Sequence, residues 1–297
     1  MSLWYMVNLK GKIYFKCIRH LKKLSRTKKS RYREVILIFS VVLISIIFPI
    51  YYVVIQAYAE THTDSFIINY FWLLNSDIKN TFGQRTTVIA IASFVYYAEQ
   101  FIFPCIFAII YCTLAWKIAE AVSNIEIPKR VIDFQEILQL LETRRKLIEF
   151  VRYFESTFTV VIFWLTWYNL LSLFATLVMS MGLSVMNSLV AISEALIIFI
   201  SCSVSFVGTV LCASKVSDAF VGLKVKLRKL YQNLLKDSIP QTGNKVMCMK
   251  LLESVIDEEN YYFTLWGFLY MNKSLILSAL GALVTYGVVL VQLKPPS

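Results

Sequence analysis

The stretch SLILSALGALVTYGVVLVQL, Ser274 to Leu293, runs 20 residues without a charge. As a helix it covers about 30 Å, the thickness of the hydrocarbon core of a bilayer. Small and polar residues climb one side of it: Ser278, Ala282, Thr285, Val289 and Gln292, at steps of four, three, four and three. That spacing places all five on one helical face. The other faces carry Ile276, Leu280, Leu283, Val284, Leu290 and Val291, as lipid or neighbouring helices require. The stripe therefore has two readings: it packs closely on another helix, or it faces water.

The rest of the chain has the same character. Of 297 residues, 58% are hydrophobic and only 16% charged, with a mean hydropathy of +0.63. The apolar residues fall in blocks, so the class is an all-α polytopic membrane protein. The net charge of +11 lies beside the apolar blocks, which makes it a topology signal and gives no reason to expect nucleic acid. The six cysteines show no metal-type spacing and imply neither a structural disulfide nor a cofactor.

Five spans are expected. A basic segment, residues 1–34, carries 11 Lys and Arg with a single acid, Glu34. Span one is Val35–Ala57, interrupted by Pro49; span two is Val88–Trp116, with Pro104 and Glu99 inside it. Between them, Phe66–Leu74 is too short to cross and rich in aromatics, so it belongs in the interface or over a pocket. Phe134, Ile137, Leu138, Leu141, Ile148, Val151 and Phe154 recur at helical spacing. They predict a helix near 131–157 that runs straight into span three, Phe158–Met181. Span four is Val185–Ala213. Beyond it Phe220, Leu223, Leu227, Leu230 and Leu234 form a heptad-like seam, so the helix continues past the membrane and packs on partner helices. Pro240 and Gly243 mark a break. A second helix is expected over Val246–Met271, leading into the last span.

Charge orients the chain. With the N-terminus inside, 27 of the 30 basic residues lie on the cytosolic side, which is the favoured arrangement. The C-terminus is then outside, in a multi-pass plasma-membrane protein. The expected organisation is a basic cytosolic segment (1–34), a four-helix sensing region (35–213), cytosolic anchor helices (214–273) and a last membrane helix with a short outer tail (274–297). Asn272-Lys273-Ser274 fits a glycosylation sequon but falls on the cytosolic side.

Enzyme chemistry has little to work with. The two histidines, His20 and His62, fall in different compartments, and no metal-binding, nucleophile-elbow or phosphate-loop motif is present. The carboxyls Glu99 and Glu194 lie inside spans, where ionisable groups are costly. Either lines a ligand cavity, or it sits near the headgroups or stays neutral and hydrogen-bonded. With them, Tyr97, Trp167 and Tyr168 are candidates for an apolar ligand site, although core packing explains each aromatic individually as well.

Thr285-Tyr286, five apolar residues, then Gln292 resembles the C-terminal signature of arthropod gustatory receptors, with Leu293 where phenylalanine is usual. The tail Val289–Lys294 is similar to the end of the insect odorant co-receptor, and Gly267-Phe268-Leu269 fits the gustatory pattern loosely. The resemblance implies a ligand-gated cation channel, a homo- or hetero-tetramer of related receptors, in which the last span of each subunit lines the pore. Val289 would form the hydrophobic gate and Gln292 a polar ring beside it at the outer mouth. A small-molecule tastant or odorant would bind between the outer halves of the other spans. Members of that family have seven spans, so the chain is expected to be a truncated product, a fragment or a short member. The alternative is a non-conducting membrane receptor or scaffold subunit that uses the last helix only for packing.

Overall fold

A computed structural model describes residues 103–127, 134–181, 189–236, 243–257, 261–265, 267 and 269–292, with single helical positions at 47, 50, 51, 91, 94 and 95. In order, the elements are α1 (Phe103–Ser123), α2 (Phe134–Met181), α3 (Leu189–Lys236), α4 (Gly243–Asp257), β1 (Thr264–Leu265), β2 (Leu269–Tyr270) and α5 (Lys273–Gln292). The basic segment 1–34, the rest of span one, and Phe66–Leu74 lie outside the described residues.

Helices α2 and α3 are 48 residues each, about 70 Å long and more than twice the hydrocarbon thickness. Each therefore combines a membrane-length apolar part with a long extension, as expected from the helix near 131–157 running into Phe158–Met181 and from the Phe220–Leu234 seam continuing span four. Among the described residues three helices are long and apolar enough to cross a membrane, within Pro104–Ser123, Phe134–Ser180 and Ala195–Lys236. Helix α5 is apolar and shorter; at 20 residues it reaches about 30 Å.

One continuous core joins these elements. Helix α1 packs mainly on α3, and α2 also packs on α3. Tyr111, Ala115, Ile118 and Val122 of α1 meet Phe206, Val210, Ala213 and Val216 of α3. The alanines let the two backbones approach closely, which is what holds helices together where lipid is as apolar as the side chains. Beyond the apolar part the hydrophobic effect takes over. Every member of the seam Phe220, Leu223, Leu227, Leu230, Leu234 is buried, in the cluster that includes Ile137, Leu140 and Leu147 of α2 and Cys248, Leu252 and Ile256 of α4. Burying each such leucine away from water contributes about 1.5–3 kcal/mol. The heptad spacing thus finds its partners within the chain.

Two expectations change. Helix α1 continues past Trp116 to Ser123. Its end is held by α3, where the Lys226 ammonium donates to the Ser123 carbonyl at 3.1 Å, a cation at the negative end of the helix. The helix expected over Val246–Met271 stops at Asp257. The chain then forms a hairpin pairing Thr264 with Tyr270 and Leu265 with Leu269. Gly267 in its loop has φ 78°, a conformation glycine adopts without a Cβ penalty. The flanking run Tyr261-Tyr262-Phe263-Thr264-Leu265 is rich in aromatic residues that fit a strand as readily as a helix. The glycine that enables the turn decides between them.

Helix α5 begins at a defined cap. The Asn272 side-chain oxygen accepts from the Leu275 N–H at 3.2 Å and from the Ser274 hydroxyl. The asparagine of the sequon-like triplet is thus an N-cap, satisfying a donor that the first helical turn leaves free. Lys273 pairs with Asp218 of α3 at 3.0 Å, an exposed contact that orients the helix start more than it stabilises it.

Candidate functional site

The last helix meets its own chain along one edge. Leu283 is buried in a small cluster with Leu173 of α2 and Cys202 of α3, flanked by Tyr168, Phe174 and Ile198. The other sides of α5 are open, including Leu277, Leu280, Val284 and Val288. The stripe singled out from the sequence lies mostly on that open surface. Ser278, Thr285 and Gln292 are exposed, Val289 is 42% exposed, and Ala282 is half-buried. Among the described residues no helix covers it, although the stripe carries the small residues that helix packing favours.

The residues of the terminal motif have separate local tasks. The Thr285 hydroxyl turns back to the Gly281 carbonyl at 2.8 Å, which satisfies its polarity within the helix. The ring of Tyr286 meets Phe174 edge to face at 5.5 Å, joining α5 to α2. Gln292, in the last turn, is exposed.

At the other end of α5, the hairpin is fastened to α2 by a contact that the sequence did not single out. The Glu155 carboxylate accepts from the Thr264 N–H at 2.9 Å, from the Thr264 hydroxyl at 2.7 Å and from the Tyr261 hydroxyl. The Thr159 hydroxyl, one turn along α2, donates to the Thr264 carbonyl at 3.2 Å. Around this clasp stack Phe154, Phe158, Tyr111, Phe263 and Phe220, with Phe154 and Phe158 4.6 Å apart and Phe154 and Phe263 5.7 Å apart. Burial first, and then the bond to Glu155, push the pKa of Tyr261 up, which keeps its hydroxyl a donor. The signal for Glu155 lay in the threonine-rich and aromatic residues around it, and only the hairpin brings their partners to them.

The ligand-pocket candidates do not converge among the described residues. Tyr168 faces the Leu173–Cys202–Leu283 cluster, whereas its neighbour Trp167 points outward and is 51% exposed. Glu194 lies in the early turns of α3 with its side chain outside the described residues, as do Glu99 and Tyr97 entirely. Among the described residues no group of three or more His, Cys, Asp or Glu could hold a metal ion.

A family model described as 7tm Chemosensory receptor matches residues 6–295. The chain belongs to this chemosensory receptor family. It is a multi-pass membrane chemoreceptor, and the family is one of receptors, not of enzymes. Two solved structures share the fold of this chemoreceptor. The insect olfactory receptor OR5 from Machilis hrabei in complex with eugenol matches with a TM-score of 0.58 at 14% identity, over 99% of this chain and 71% of that one. The structure of the same receptor described without eugenol gives 0.53 at 12%, over 96% and 77%. No curated protein matches by sequence.

Proposed function

We propose that this chemosensory receptor is a subunit of a ligand-gated, non-selective cation channel in the plasma membrane, opened by a small-molecule tastant or odorant. The observation that carries the reading is the position of the α5 stripe. Ser278, Thr285, Val289 and Gln292 lie on a side of the helix left open among the described residues, so copies arranged about an axis can turn it inward. In a tetramer, homomeric or built with related receptors, four Val289 side chains would dewet a narrow constriction. Four Gln292 amides beside them would replace part of an ion's hydration. The cytosolic N-terminus and outer C-terminus favoured by the basic residues put Gln292 at the outer mouth.

The segments then have distinct tasks. Residues 35–213 sense the stimulus, with Glu194, Glu99, Tyr97, Trp167 and Tyr168 as wall candidates. Residues 214–273 anchor the assembly in the cytosol, and 274–297 supply the pore. A stimulus opens the channel by binding the open arrangement more tightly than the closed one. The neighbouring receptor in complex with eugenol supports a small organic molecule as stimulus. The Glu155 clasp supplies a rigid path, since α2 ends in the membrane region and holds the hairpin that leads into α5.

A cysteine scan over Ser278–Gln292, with a water-soluble thiol reagent during current recording, tests the proposal. Labelling at 278, 282, 285, 289 and 292 that alters a cation current is the expected pattern. Labelling that ignores this periodicity overturns the pore assignment. Surface expression with no basal or stimulus-evoked current favours the non-conducting subunit.

A further inference from the structure

In the apolar part of α2, two polar atoms are sealed from solvent without a hydrogen-bond partner: the Thr166 hydroxyl oxygen and the Asn169 side-chain carbonyl oxygen. Asn169 is 1% exposed and Thr166 5%. Three residues apart on a helix, they lie on the same face in adjacent turns. The other half of the Asn169 amide is engaged, donating to the Ser205 hydroxyl of α3 at 3.0 Å, so this face is turned into the α2–α3 seam. Apolar side chains along these stretches are buried as well: Ile162, Leu165 and Leu173 on α2, and Cys202 and Phe206 on α3.

Thr166 also behaves unlike its neighbours. Thr176 and Thr209 are buried in the same two helices, and each turns its hydroxyl back to a carbonyl of its own helix, at 2.9 Å to Ser172 and to Ser205 respectively. That arrangement is open to any helical threonine, yet Thr166 leaves it unused. A hydroxyl and an amide carbonyl share one sealed face, and the membrane core offers neither of them bulk water. Sealed polar groups of this kind are met by trapped water, which takes two to four polar partners.

We infer that a single water molecule is bound between α2 and α3, donating one proton to Asn169 Oδ1 and accepting the proton of the Thr166 hydroxyl. The Ser205 hydroxyl accepts from the Asn169 amide and retains its own proton for the same network. The water completes a polar link across the seam in place of an unpaired carbonyl and hydroxyl. The inference rests on burial and hydrogen-bond geometry alone and is independent of channel activity.

Two measurements on the full-length receptor in lipid nanodiscs decide it. The first is a cryo-electron-microscopy map at water-resolving resolution. It is expected to show one isolated density within hydrogen-bond distance of both atoms. No density, or a Thr166 hydroxyl turned back to its own helix, overturns the inference. Extended density together with an organic molecule recovered by mass spectrometry also overturns it, and assigns the site to an organic hydroxyl. The second measurement is thermal unfolding of Thr166→Val and Thr166→Ser. If the hydroxyl is satisfied by water, the valine variant loses about 1–3 °C of Tm and the serine variant keeps most of it. If the hydroxyl is unpaired, valine removes a buried unsatisfied group and Tm rises or stays level, which contradicts the bound water.

Discussion

Three donors meet on the Glu155 carboxylate, so deleting it and neutralising it have different consequences. In Glu155→Ala the part-buried Thr264 N–H and the two hydroxyls lose their acceptor, at a cost of about 1–3 kcal/mol. Glu155→Gln keeps one acceptor oxygen, and its smaller loss of Tm should separate the two variants in thermal unfolding in detergent. Tyr261 adds a pH dependence. Its pKa in the fold is raised above the ordinary 10.0, so its contribution is present in full below pH 10. As pH climbs from there through the folded value, the unfolded phenol ionises first and that stability is lost. Tyr261→Phe should flatten this alkaline arm of a Tm-against-pH profile. Leu227, 1% exposed at the centre of the seam, is a simpler case. Leu227→Ala leaves a cavity costing about 2–5 kcal/mol, read as a lowered denaturation midpoint.

Among the elements, the hairpin and the start of α5 depend on single residues with backbone tasks. A Cβ at Gly267 would meet nothing within 4 Å, but the φ of +78° remains unfavourable for alanine. Gly267→Ala should therefore cost about 1–2 kcal/mol by conformation alone. Asn272→Ala removes the cap from the Leu275 N–H and costs about 0.5–2 kcal/mol. Both effects are local. Hydrogen exchange should speed up at the Met271 amide, bonded to the Phe263 carbonyl at 2.9 Å, in the first variant, and at the Leu275 amide in the second. Exchange in α3 should stay unchanged. Uniform acceleration throughout the chain would mean that the hairpin and the helical core unfold together.

For the whole molecule, the sides of α5 left open among the described residues are where the proposed assembly acts. Leu277, Leu280, Val284 and Val288 can face lipid, but Gln292 and the Ser278–Thr285 stripe gain from a watery axis or another subunit. Chemical cross-linking of the receptor in native membranes should give a ladder that stops at four subunits. A ladder that stops at two would leave no closed ring for Val289 to gate.

The long helices and the membrane class were legible in the residues, because period and hydrophobicity act over a few turns and need no distant partner. The seam from Phe220 to Leu234 was equally legible as a buried face, but its spacing could not say which helices would cover it. Tertiary structure supplied those partners, Leu252 and Ile256 of α4 among them. It also replaced a helix with a hairpin where Gly267 permits a left-handed turn, and brought three donors onto the Glu155 carboxylate. The α5 stripe shows the same division. Sequence alone determined that Ser278, Ala282, Thr285, Val289 and Gln292 share one face, since the helical repeat fixes their angles. Only the packed chain decided that this face lies largely outside contacts among the described residues, because Leu283 and Tyr286 attach another edge to Leu173, Cys202 and Phe174.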